Sequence, residues 1–272
     1  MDEDKGLFTG VIIVATFAAI AFVSFAWTPY QVSAIDVDAR FATPSTTHWL
    51  GTNHLGRDVL SMIMVGARTS IGVALIAVSA GLLIGVPLGL LAAGNRGPTE
   101  DVVMRASDVI FAFPALILAI LISAIYKPGA FNAVIAIGVF NIPVFARLTR
   151  GAALPIWERN FVLSARTAGK NQFAISVDHI LPNLAPILIV QATVQFSLAV
   201  LAEAGLSYVG LGVQPPTPSW GRMLAESQTM ISFAPWLAVF PGLAIFTFVL
   251  GLNLVGDGLR RRFDPHRVAG LI

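Results

Sequence analysis

Four histidines are the first candidates for chemistry: His48, His54, His179 and His266. No His-Glu-x-x-His pair joins any two of them, which excludes the helix-borne zinc site of a metalloprotease. His48 and His54 share a segment with Asp58. That trio offers ligands to a metal, but it more simply fixes a loop through hydrogen bonds between imidazole and carboxylate. Gly169-Lys170 is the nearest approach to a phosphate-binding loop, and it lacks both the preceding glycine and the following hydroxyl residue. The chain is therefore not expected to hydrolyse nucleotide. A serine nucleophile needs an activating base. Ser79, Ser107 and Ser197 lie in or beside long apolar stretches that contain no His, and Gly-x-Ser-x-Gly is absent. The chain has no Cys, which removes disulfides, thiolate chemistry and cysteine metal sites. Glu203 is an ionisable residue inside an apolar stretch, where such groups line cavities or pair with a partner rather than face lipid. Because it sits near the end of that stretch, a hydrogen bond at a loop junction and a role in translocation are equal expectations. Asn253 and Asp257 suit capping or packing better than transport. No catalytic residue, metal or cofactor is expected in this chain.

The elements that must position these residues follow from composition. Of 272 residues, 56% are hydrophobic and only 12% charged, with a mean hydropathy of +0.79, whereas soluble chains are about 25% charged. Too little polar surface remains to clothe a soluble core, so the chain belongs in a membrane. Six apolar stretches, 7–29, 69–94, 106–126, 132–149, 184–210 and 233–256, approach the ~20 residues that a helix needs to cross roughly 30 Å of hydrocarbon. The expected fold is all-α and polytopic, with about six transmembrane helices. Met1-Asp2-Glu3-Asp4-Lys5 lacks the basic region of a signal peptide, so the first stretch reads as a retained span. Gly81, Gly85 and Gly89 fall four apart on one face of the second stretch, a spacing that most simply serves close helix packing. A formal charge of +2 gives no sign of a nucleic-acid partner.

Basic residues set the orientation. With the amino terminus inside, Lys5, Arg96, Arg105, Arg147, Arg150, Arg159, Arg166, Lys170, Arg260, Arg261, Arg262 and Arg267 are cytoplasmic. Arg40, Arg57, Arg68, Lys127 and Arg222 are outside, which divides the 17 basic residues 12 to 5 and predicts both termini cytoplasmic. Residues 1–68 then comprise the first helix and an extracytoplasmic segment. Residues 69–260 form the core, with a cytoplasmic loop at about 150–183, and 261–272 form a cytoplasmic tail. That loop has helical periodicity, broken at Gly169 and stopped by Pro182. Residues 211–232 return outside through a Pro-rich run to Ser219, which can cap a short helix carrying Trp220, Met223 and Leu224 toward the bundle. This short helix is expected to help close the exterior end of a pathway.

The stretch Leu163-Ser164-Ala165-Arg166-Thr167-Ala168-Gly169-Lys170, followed by Ile180-Leu181-Pro182, resembles the cytoplasmic coupling motif of bacterial ABC importer permeases. Gly51-Thr52-Asn53, with Gly56-Arg57-Asp58 after it, and the run from Glu203 to Ser219-Trp220-Gly221 resemble signatures of the second permease of dipeptide, oligopeptide and nickel importers. Leu163 stands where general importers often carry an acidic residue, Ser164 where they carry Ala, and Asn53 where Asp is expected. The resemblance spans most of residues 48–225. It implies the type I ABC importer permease fold and an assembly in the bacterial plasma (inner) membrane. The implied partners are a homologous permease subunit, two cytoplasmic ATPase subunits or domains that bind ATP and magnesium, an extracytoplasmic substrate-binding protein, and membrane lipid. A peptide or related small solute is the implied cargo. Gly169, with Ala165 and Ala168, would let an ATPase cleft approach the backbone while Arg166 and Lys170 supply charge at the rim; the alternative for Gly169 is a plain helix terminator. A stand-alone secondary carrier is the rival reading, and the lack of an obvious internal repeat argues against it.

Overall fold

The computed structural model describes residues 3–113, 115–125 and 127–263, so most of the tail expected at 261–272 lies outside the described residues. The helices are α1 (Glu3–Ala26), α2 (Val59–Gly94), α3 (Pro98–Ala112), α4 (Ala115–Ile125), α5 (Ala130–Trp157), α6 (Asn160–Thr167), α7 (Gln172–Ile175), α8 (Leu181–Tyr208), α9 (Trp220–Ser227) and α10 (Trp236–Arg262). No strand occurs among the described residues; Thr52 and Asp58 form one isolated antiparallel bridge. Five helices are long and apolar enough to span a membrane: Lys5–Ala26, Val59–Gly94, Ala130–Trp157, Gln172–Tyr208 and Trp236–Arg262.

α2 starts earlier than the apolar pattern predicts. Asp58 caps it, with Oδ2 accepting the Ser61 N–H at 2.8 Å, so residues 59–68, expected in the outer segment, are its opening turns. Arg68 interrupts the hydropathy there, yet its guanidinium lies 4.5 Å from the Phe25 ring centre and donates to the Ser24 carbonyl at 3.4 Å.

The glycine stripe of α2 receives α5. A Cβ on Gly81 would stand 2.4 Å from Cβ of Asn141, one on Gly85 2.5 Å from the Ile142 oxygen, and one on Gly89 2.5 Å from the Ala146 oxygen. This is the packing use of the stripe, with backbones in near contact. Residue numbers rise together along both helices, so α2 and α5 run parallel. The chain between them must therefore return the full depth of the bundle, and α3 and α4 make that return. The expected single span 106–126 is thus a broken one. Pro114 disfavours helix at the residue before it, and Phe113 is extended, at φ −96° and ψ 126°. α3 is held to α5 by ion pairs Arg147–Asp108 and Arg150–Glu100 and by Phe111 edge-on to Phe140 at 5.4 Å.

α1 and α10 run antiparallel, with Gly10 against the Gly251 carbonyl and Gly258 against Leu7. The start of α1 and the end of α10 therefore share the end of the bundle that also carries α6 and α7. At the core's centre, Phe17, Phe196, Trp220 and Phe248 form four edge-on ring pairs with centroids 5.5 to 6.0 Å apart.

Candidate functional site: two loop ends and a cleft at mid-depth

At the end of the bundle where α1 starts and α10 finishes, α6 stops in a Schellman arrangement. The Lys170 N–H reaches the Ala165 oxygen at 3.1 Å and the Gly169 N–H reaches the Arg166 oxygen at 2.9 Å. Gly169 takes φ +82°, and a Cβ there would meet nothing within 4 Å. Within this chain Gly169 is a helix terminator with open space beyond it. Ala165 is half-buried, whereas Ser164, Arg166, Ala168, Gly169 and Lys170 are exposed. The two cations are engaged inside the loop: Lys170 Nζ lies 2.9 Å from Asp178 Oδ2, and the Arg166 guanidinium stacks 5.1 Å from the Trp157 ring centre.

Pro182 does not stop a helix, contrary to the expectation from sequence. Gln172–Tyr208 is continuous, and its turn Ser176–Ile180 is π-helical, with the Leu181 N–H bonded to the Ser176 oxygen. The widened turn gives room for a proline ring that would otherwise clash with the preceding turn. Leu181 is half-buried and Pro182 exposed. Sequence reasoning overlooked the apolar surface this creates: Phe161, Leu163, Phe173 and Val177 are all exposed at this end, Phe173 by 77%. Large apolar residues inside a segment otherwise rich in charged and small residues were the available signal.

At the opposite end of the bundle, expected to face the exterior, the Gly51–Asp58 motif is a hydrogen-bonded knot. Asn53 Oδ1 accepts the Leu55 and Arg57 N–H groups, each at 2.9 Å, and its Nδ2 lies 3.5 Å from Met62 sulfur. An Asp would serve the same two backbone donors. Thr52 Oγ1 binds the Ala39 carbonyl and accepts the Ala42 N–H at 2.8 Å. Gly51 and Gly56 take φ +76° and +74°, and a Cβ on Gly56 would overlap the Asp36 carbonyl. Arg57 contributes its backbone to the knot, closing it with a carbonyl bond from the Asn53 N–H at 3.0 Å. Asp58 accepts from His48 Nδ1 at 3.0 Å through its free oxygen. Imidazole and carboxylate thus fix the loop, and no cluster able to hold a metal ion occurs among the described residues.

Glu203, Ser219, Trp220 and Gly221 meet beside this knot. Glu203 is fully buried, and its Oε1 accepts the Ser207 hydroxyl at 2.7 Å. Ser207 Oγ in turn accepts the Val213 N–H at 3.0 Å, tying α8 to the loop that follows it. Of the two expectations for Glu203, the geometry supplies the loop-junction bond. Ser219 caps α9 through the Arg222 N–H at 3.2 Å. Trp220 donates its ring N–H to the Ile63 oxygen and its backbone N–H to Ser70 Oγ, both at 3.2 Å. A Cβ on Gly221 would fall 2.2 Å from the Ala204 oxygen. α9 is consequently set into α2, α8 and α10 as a fixed part of the bundle.

Between α5 and α8 lies a cleft of about 420 Å³ with apolar walls and two carboxamides, Asn141 and Gln195. Neither was singled out from the sequence, since a lone amide in an apolar stretch has no spacing signal. Five helices long and apolar enough to cross a membrane, two of them parallel and packed through glycine, with a cleft at mid-depth, define a polytopic helical bundle of the membrane-protein class.

The chain matches the family of binding-protein-dependent transport system inner membrane components over residues 85–268, and it belongs to that family. It is 42% identical to the glutathione transport system permease protein GsiD of Pectobacterium atrosepticum, over 93% of this chain and 85% of that protein. It is 41% identical to the dipeptide transport system permease protein DppC of Alkalihalophilus pseudofirmus, over 97% of this chain and 87% of that one. Among solved structures, a chain of the inward-facing MetNI methionine ABC transporter superposes with a TM-score of 0.63 at 19% identity, covering 74% of this chain and 95% of that one. That likeness shows the fold, the type I ABC importer permease bundle. The chain is a membrane-spanning permease subunit of an ABC importer, and the stand-alone carrier reading falls away.

Proposed function

We propose that this subunit forms half of a pathway for small peptides and that cytoplasmic ATPase subunits grip it at residues 161–183. A homologous permease completes the pathway and an extracytoplasmic binding protein delivers the cargo. ATP and magnesium belong to the ATPase partners, and this chain contributes no catalytic group. The observation that carries the docking is the exposed apolar set Phe161, Leu163, Phe173 and Val177 beside Gly169. It lies at the end of the bundle that carries α6 and α7, beside the loop helices rather than along the middle of a span, and such a patch marks a protein interface. Peptide cargo is supported by the names of the relatives, which are glutathione and dipeptide permeases. Both termini are cytoplasmic in this reading, because the end carrying α6 and α7 also carries most of the basic residues.

Two substitutions separate helix termination from docking. Gly169→Asn keeps a residue that tolerates positive φ, and Gly169→Leu adds bulk into the open space. Both are expected to give the assembled permease pair, with Leu lowering ATPase association and abolishing ATPase stimulation by loaded binding protein. Full dipeptide uptake by the Leu variant would overturn docking at this point, and loss of the permease pair in the Leu variant alone would assign Gly169 to termination only.

A further inference from the structure

The cleft between α5 and α8 has a chemistry that packing does not explain. Asn141 and Gln195 are both more than nine-tenths buried. Asn141 lies 11 residues after the start of α5 at Ala130, and Gln195 lies 13 residues before the end of α8 at Tyr208. At 1.5 Å per residue both stand near mid-depth. Asn141 donates Nδ2 to the Ile137 oxygen at 2.8 Å, and its Oδ1 has no hydrogen-bond partner among the described residues. The Gln195 carboxamide likewise has no hydrogen bond to the described residues. Unpaired amides at this depth are costly against hydrocarbon, so they need a polar occupant. The rim residue Leu198 is 54% exposed, which leaves the cleft open on the bundle's side.

We propose that this cleft is a mid-membrane contact site for the peptide group of the cargo. Asn141 Oδ1 accepts a cargo N–H, and the Gln195 amide donates to a cargo carbonyl. One free acceptor and one free donor are complementary to a peptide unit, and the apolar walls, Ile137, Phe140 and Leu198 among them, take side chains without selecting them. Neutral amides hold such a unit weakly, which suits a site that cargo must leave. The site admits peptides by their main chain and gives little advantage to a solute without amides. This inference rests on the peptide-importer reading.

The test uses the complete importer, with both permeases, its ATPases and its binding protein, in proteoliposomes with radiolabelled dialanine. Gln195→Leu and Asn141→Ala are each expected to lower the maximal uptake rate about tenfold. ATPase stimulation by dialanine-loaded binding protein and its half-saturation stay unchanged, and Gln195→Asn restores part of the uptake. Unchanged uptake in both variants overturns the site and leaves the peptide reading intact. Loss of ATPase stimulation along with uptake overturns it in favour of a structural role. A wild-type complex that carries neither dialanine nor glutathione but a solute without peptide bonds overturns both readings. If Gln195→Leu fails to assemble, Gln195→Cys in this cysteine-free chain decides: dialanine-loaded binding protein and ATP should slow its labelling by a small methanethiosulfonate, and labelling at an unchanged rate overturns the site.

Discussion

Single residues account for the core and for the Gly51–Asp58 knot. Trp220 fills the centre of the core and also satisfies the Ile63 carbonyl, so Trp220→Ala is expected to destabilise by about 3–5 kcal/mol, read as a lower melting temperature of the detergent-purified complex. Asn53→Asp should melt within experimental error of the parent because either side chain accepts from Leu55 and Arg57, while Asn53→Ala, which orphans both donors, should melt clearly lower. At the end that carries α6 and α7, the Arg150 guanidinium beside Glu100 holds that carboxyl below its ordinary pKa. A depressed folded value means that the pair's stabilisation is complete above the ordinary value of 4.5 and is lost as pH falls through the depressed one. Proteolysis in the α3 region should therefore be insensitive to pH from neutrality down to about 4.5 and rise below it; an Arg150→Ala variant should show the raised cleavage at every pH.

At the scale of elements, the glycine stripe gives an internal control. Gly85 and Gly72 lie in the same helix, yet a Cβ on Gly85 would press on α5 backbone and one on Gly72 meets nothing within 4 Å. Gly85→Ala should cost about 1–3 kcal/mol and Gly72→Ala should not, as measured by thermal unfolding of the purified complex. The stripe was legible in the sequence because four-residue spacing survives any uncertainty about helix ends. Hydropathy located the spans for a similar reason: burial in lipid averages over many residues. It failed where one local event decides. Asp58 starts α2 ahead of the apolar run, the extended Phe113 breaks the third span, and a π-helical turn carries the helix through Pro182. The family signatures 50–58 and 203–221 located both outer clusters, but not the hydrogen bonds within them, because partners such as Ala39, Ser70 and Met62 are remote in sequence or unremarkable in type. Asn141 and Gln195 acquire meaning only when two helices face each other.

For the whole molecule, the paired directions of α1 with α10 and α2 with α5 place the two loop sets at opposite ends. Single cysteines at the exposed Thr47 and Thr217 should react with an impermeant thiol reagent in intact cells, and one at Thr167 should react only after permeabilisation. The reverse pattern would show that the basic residues have misled the assignment of sides. The antiparallel α1–α10 pair has a consequence in time. Between Ala26 and Trp236 lie all the other spans, so α1 leaves the ribosome well before the surface it fits has been made. Gly10, which accepts the α10 backbone, has no counterpart until Gly251 and Val255 arrive. During synthesis α1 must wait in the bilayer with its docking face toward lipid or a chaperone. Chains that terminate early would keep that face open, a ready mark by which a membrane protease could tell an unfinished subunit from a finished one.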